Sequence, residues 1–151
     1  MRTIDRTIVH APLERVFRIA AGVERWPEFL PHYRRVEILE RDSAGCVVDM
    51  AAWRPFGVFR YPTRWVSRME IDDRRHTVRY RHVRGITRGM DVEWTLRAAP
   101  RGVEIMIVHE WAGPSWPLIG AAAADWVIGP VFIHGIATRT LAGVKRRAEG
   151  S

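Results

Sequence analysis

The chain has 151 residues, 47% of them hydrophobic and 27% charged, the balance of an ordered domain and not of a disordered tail. Its net charge is +7 and its pI about 10.8, yet the arginines run from Arg2 to Arg147 interleaved with Asp and Glu. Charge spread in this way argues against a dedicated nucleic-acid face. Cys46 is the only cysteine, which excludes an internal disulfide and a cysteine-held zinc.

The N-terminus, "MRTIDRTIVHAP", has no apolar signal region, so a cytoplasmic protein is expected. Its β-branched residues predict a strand that stops at Pro12. In "PLERVFRIAAGV" the spacing of Leu13, Val16, Phe17 and Ala20 predicts an amphipathic helix. "RWPEFLPHY" reads as a short aromatic turn or helix broken by Pro27 and Pro31. Trp26 and Phe29 there are either a flap over a cavity or a staple holding the turn to a sheet.

Six strand-like runs follow: "YRRVEILERD", "GCVVDMAAW", "FRYPTRWVSRMEI", "HTVRYRHV", "GMDVEWTLRA" and "GVEIMIVHEW". Turn signals at Asp72-Asp73, Arg84-Gly85 and Pro100-Arg101-Gly102 separate the later ones at hairpin distance. From Leu118 to Ile136 the chain is strongly apolar, but Asp125, Gly129-Pro130 and His134 interrupt it. This predicts a kinked helical region and no membrane span. The expected architecture is α+β: about seven antiparallel strands, two short helices after the first, and a long C-terminal helix on the apolar face. It forms a single domain over residues 1–151.

Alternation divides the strands into two faces. One carries Arg68, Arg79, Arg81 and Arg97 among Glu70, Asp91, Glu93, Glu104 and Glu110, with Val66 in phase, and reads as a solvated charge ladder. Arg68 is expected to point outward, unless a bulge between Thr63 and Arg68 resets the phase. The other face carries Trp65, Ser67, Met69 and Ile71, then Tyr80 and His82, then Met90 and Trp94, then His109 and Trp111. Large aromatics and methionines mixed with a few polar groups suit a ligand cavity; the alternative is a filled core whose polar groups satisfy one another. On the terminal helix Ile133, Ile136, Ala137, Thr140, Leu141, Val144 and Ala148 form one apolar stripe. Thr140 is expected to bond the carbonyl four residues back, and His134 to sit half-buried at the stripe's edge.

The runs "VHAPLERVFRIAAGVERWPEFLPHYRRVEILERD", "WVSRMEIDD", "HTVRYRHV", "GMDVEWTL" and "TLAGVKRRAE" together resemble the START-like (Bet v 1-like, SRPBCC) superfamily. They are most similar to its branch of polyketide aromatase/cyclases and coenzyme Q-binding proteins. The resemblance covers nearly the whole chain. It implies a helix-grip fold, a curved sheet wrapped around the C-terminal helix with a cavity between. In the aromatase/cyclase branch the strand matching "RWVSRM" turns a Trp, a Ser and an Arg into the cavity. Trp65 and Ser67 match the first two, whereas Met69 stands where the arginine would be. Tyr33 matches a cavity tyrosine and Met90 a cavity methionine.

The expected ligand-binding residues are Tyr33, Trp65, Ser67, Met69, Tyr80, His82, Met90, Trp94, His109 and Thr140. The leading reading is a domain that binds an aromatic polyketide-, quinone- or lipid-like molecule. The alternative is a polyketide aromatase/cyclase acting on a poly-β-ketone, with His82, His109 and Tyr80 as candidates for acid, base and enolate donor. A ribosome- or RNA-associated protein is a third reading, permitted by the charge but carrying no specific nucleic-acid signal. No metal or nucleotide cofactor is expected, because there is no His-x-x-x-His pair and "GITRG" precedes no helix. A homodimer is left open.

Overall fold

The computed structural model describes residues 1–56, 59–85, 87–112 and 130–150, with side chains at all of these but 54–56, 59, 61 and 130–132. Strand β1 (Arg2–Val9) leads into helix α1 (Leu13–Ala21), a single 3-10 turn (Val23–Arg25) and the short α2 (Trp26–Phe29). Six strands follow: β2 (Tyr33–Arg41), β3 (Gly45–Phe56), β4 (Phe59–Asp72), β5 (Thr77–Gly85), β6 (Asp91–Ala99) and β7 (Gly102–Glu110). Helix α3 (Pro130–Glu149) closes the described chain. The expected kinked stretch before Pro130 lies outside the described residues.

All seven strands form one antiparallel sheet in the order β1-β7-β6-β5-β4-β3-β2. Six of the seven are therefore hairpin neighbours in sequence, and only β1 crosses to pair with β7. Arg2 lies opposite Glu110 and Val9 opposite Val103. Helix α3 lies against β1 and α1 through Ile133, Ala137, Leu141, Val144 and Ala148, all buried. Burying each large aliphatic side chain of this stripe contributes roughly 1.5–3 kcal/mol.

The sheet's outer face is a ladder of cross-strand ion pairs. Arg79 meets Glu93 at 2.8 Å and Arg81 meets Asp91 at 2.9 Å. Arg68 points outward and grips Asp42 with both nitrogens, at 2.7 and 2.9 Å. A register shift does occur beside it: Val66 faces Arg84 but Ser67 faces His82. The extra residue is Val83 on the neighbouring strand, so the alternation of β4 itself is preserved.

Three placements differ from the alternation. Val66 is buried despite its outward phase, because it lies opposite Asp49 beside the clamp that Arg35 and Arg64 form on that carboxylate. Ile71 is exposed, standing at the strand end next to the turn at 73–76. His134 is mostly exposed instead of half-buried, and its Nδ1 reaches the buried carboxylate of Asp5 on β1.

Candidate functional site

Between the sheet and α3 lies a cavity of about 80 Å³, lined among the described residues as follows. Aromatic and sulfur-bearing side chains dominate its wall: Trp26 from α2, Tyr33 from the start of β2, Met50 from β3, Trp65 from β4, and Met90 and Trp94 at and beyond the turn before β6. Val92, Ile107, Ile133, Ile136 and Ala137 fill the gaps between them. The polar lining is Thr63, Tyr80, His82, Thr87, His109 and Thr140. Among the described residues no lining side chain carries a formal charge when the histidines are neutral.

Eight of the ten residues expected to bind ligand line this cavity. Ser67 and Met69 are fully buried on β4 but lie outside the lining. Their neighbours opposite, His82 and Tyr80, stand at the wall instead.

Two polar groups are built differently. At the helix side, Thr140 donates its hydroxyl to the Ile136 carbonyl at 2.8 Å, as expected for a helical threonine. That uses its only proton, so at 3.0 Å it must accept from His32 Nε2–H, which fixes the tautomer of His32. Burial, reinforced by Arg139 and Arg146, pulls the His32 pKa down to about 4. His32 was missed in the sequence because it sits in a Pro-broken turn where no periodicity assigns a face. Tyr33 follows it and packs edge-on to Trp26 at 5.1 Å. Burial pushes its phenol upward, only partly opposed by the Thr140 hydroxyl.

At the sheet side, His82 stacks on Trp65 with ring centroids 5.8 Å apart and planes 7° from parallel. Its Nδ1 lies 2.6 Å from the Thr87 hydroxyl. The turn between β5 and β6 brings Thr87 back: Arg88 N–H bonds Gly85 O at 3.1 Å and Met90 N–H bonds Thr87 O at 3.0 Å. Gly85 makes this turn feasible, with φ of 104° and a close approach to the Arg64 carbonyl that a Cβ would block at 2.7 Å. Thr87 was invisible in the sequence because its role depends on a turn, not on strand phase. Burial, with His109 adding to it, lowers the His82 pKa to about 3; burial alone lowers that of His109 to about 4.

Three buried polar atoms on these strands find no partner among the described residues: Tyr80 Oη, His109 Nδ1 and Ser67 Oγ. The first two belong to residues that line the cavity. Burial drives the Tyr80 phenol well above its ordinary pKa, so it is a proton-bearing donor at any physiological pH. Both histidines are neutral at pH 7. The residues of the cavity wall thus include an unpartnered protonated phenol and a neutral imidazole among rings and thioethers. Trp26 is not a free flap: it is buried, donates Nε1–H to the Ile19 carbonyl at 3.3 Å and packs on Trp94 at 5.6 Å.

The fold recurs in solved structures. The Zhui aromatase/cyclase from Streptomyces sp. R1128 superposes with a TM-score of 0.83 at 20% identity, covering 99% of this chain and 93% of that one. A START superfamily protein from Mycobacterium smegmatis superposes with a TM-score of 0.74 at 10% identity over 98% and 97% of the two chains. In sequence, a Streptomyces halstedii protein bearing the provisional name of polyketide cyclase is 31% identical over 108 residues, 67% of this chain and 92% of its own. The model of the family described as polyketide cyclase/dehydrase and lipid transport matches residues 9–127. With most of the chain matched and the helix-grip architecture in place, the protein belongs to that family.

Proposed function

We propose that the protein binds a neutral, ring-bearing hydrophobic molecule, aromatic polyketide- or quinone-like, between the sheet and α3. One observation carries this reading: Tyr80 Oη and His109 Nδ1 are buried at the cavity without partners among the described residues. An unpaired buried polar group costs about 1–3 kcal/mol, a cost that a bound molecule with its own polar groups would recover. The absence of charge from the wall among the described residues, with Met69 off the lining and Arg68 outside, disfavours a carboxylate. The cavity at about 80 Å³ is smaller than the roughly 150 Å³ that holds benzene, so a ring-bearing molecule would extend beyond it or displace part of its wall. Met50 and Met90, with flexible thioether side chains, are the members best able to repack.

Catalysis of a cyclase or dehydratase step is the second reading, supported by the pairing of His82, His109 and Tyr80 in one wall and by the family. Its obstacle is basicity: imidazoles held near pKa 3 to 4 accept protons poorly at pH 7.

Native mass spectrometry of the freshly purified protein, set against its denatured mass, tests the binding reading. A discrete adduct of a few hundred daltons that is lost on denaturation is expected. A protein that stays free of adducts and takes up no naphthol, naphthoquinone or prenylated quinone on titration would refute it. Turnover of a poly-β-ketone, lost in both His82→Ala and His109→Ala while binding persists, would move the assignment to the enzyme.

A further inference from the structure

A second concavity, of about 790 Å³, runs between α1 and the C-terminal end of α3 and shares no lining residue with the cavity. Five arginines line it: Arg15, Arg18, Arg25, Arg146 and Arg147. On the sheet several arginines are matched by acid, as in Arg79–Glu93, Arg81–Asp91 and Arg68–Asp42. In the groove five guanidiniums gather on one concave surface whose lining includes no carboxylate among the described residues. Glu28 is shared between Arg25 at 3.4 Å and Arg147 at 3.8 Å, and Arg18 and Arg146 make no ion pair among the described residues.

Some basic charge is expected at a helix C-terminus, where it answers the dipole. Arg15 already does that work. It donates to the carbonyls of Ala148 at 2.9 Å, Arg147 at 3.3 Å and Gly150 at 2.9 Å. Arg18 in the last turn of α1 and Arg146 and Arg147 in the last turn of α3 answer the helix dipoles as well, but the dipoles do not require the two helix ends to gather their guanidiniums in one groove. Apolar surface lies among them: Ile19 and Phe29 are half-buried in the groove, and the Arg147 guanidinium sits 5.4 Å over the Phe29 ring.

We propose that this groove binds a phosphate ester, its phosphate held by Arg18 and Arg146 and its organic portion lying on Ile19 and Phe29. Guanidinium forks match phosphate oxygens in pairs and are weakly hydrated, so clustered arginines select phosphate over halide or a single carboxylate. The apolar floor separates the site from one built for inorganic phosphate alone.

Octyl phosphate, titrated at physiological salt and followed by NMR shifts or calorimetry, is the probe. Arg18→Gln/Arg146→Gln should weaken its binding roughly tenfold or more. Arg79→Gln/Arg81→Gln, which removes the same net charge from the sheet, should leave it unchanged, with melting curves showing that both variants fold. Octyl phosphate that entered the cavity instead would be insensitive to both pairs of substitutions and would overturn the proposal. Equal loss in both variants, or no binding by the wild type of either octyl phosphate or phosphatidic acid in phosphatidylcholine vesicles, would overturn it too. Arginine-dependent binding of vesicles alone assigns the phosphate to a lipid headgroup. Arginine-dependent binding of octyl phosphate alone assigns it to a soluble ester.

Discussion

Two buried hydroxyls that line the cavity, one from α3 and one from the sheet, have opposite energetics. Thr140 is satisfied twice, donating to Ile136 O and accepting from His32. Tyr80 Oη has no partner among the described residues. Thr140→Val leaves His32 Nε2–H buried and unpaired, so stability should fall by about 1–3 kcal/mol. Tyr80→Phe removes a group that is already unpaired, so stability should hold or rise by up to about 1 kcal/mol, while affinity for a bound phenol or ketone falls roughly tenfold. Denaturant unfolding and ligand titration of the two variants read both signs. A Tyr80→Phe protein that loses stability as Thr140→Val does would show that the phenol is structural and would remove the observation on which the binding reading stands.

At the scale of elements, strand phase was the legible signal. It placed Arg68 outside and Trp65, Tyr80, His82, Trp94 and His109 at one wall, because a slip of one residue would have buried the whole charge ladder. What phase cannot show is contact across irregular segments. His32, Thr87 and the Asp5–His134 pair all depend on a turn or on the docking of α3 against β1. Gly143 is a similar case. Read on a helix it is merely a poor helix former, about 1 kcal/mol worse than alanine. In the fold it is buried where a Cβ would come within 2.0 Å of Leu30 Cδ2, just after α2. Leu30 is itself fully buried, so turning its side chain away would disturb the core packed around it. Gly143→Ala should therefore lower the melting temperature by several degrees, against the sign of helix propensity. Gly143→Ala combined with Leu30→Ala should lose less than the two single effects added. Strict additivity would mean that α2 and α3 do not meet at this point.

For the whole molecule, three histidines tie stability to pH, His32 and His82 buried and His109 half-buried. His32, His82 and His109 have folded pKa values near 4, 3 and 4, all lowered first by burial. In the unfolded chain each returns to about 6.5. Above that value neither state holds the extra protons and the histidines contribute nothing to the pH dependence. As pH falls below 6.5 the unfolded chain takes up protons that the folded one refuses, so stability declines, by up to about 1.4 kcal/mol per pH unit for each histidine, until the folded pKa values are reached. Asp49, held below the ordinary carboxylate range by hydrogen bonding to Arg64, contributes stability that is lost only at lower pH, as it begins to protonate in the unfolded chain near pH 4. The two groups therefore act in different windows. Melting temperatures should already drop between pH 7 and pH 5, and His82→Gln/His109→Gln should flatten most of that decline while leaving the loss below pH 4. Binding of a neutral ring compound should be level from pH 6 to pH 8, because no lining group changes charge there. A wild-type melting temperature constant from pH 7 to pH 5 would mean that the imidazoles charge freely in the folded protein, and a cavity with charged walls would suit an anionic substrate instead.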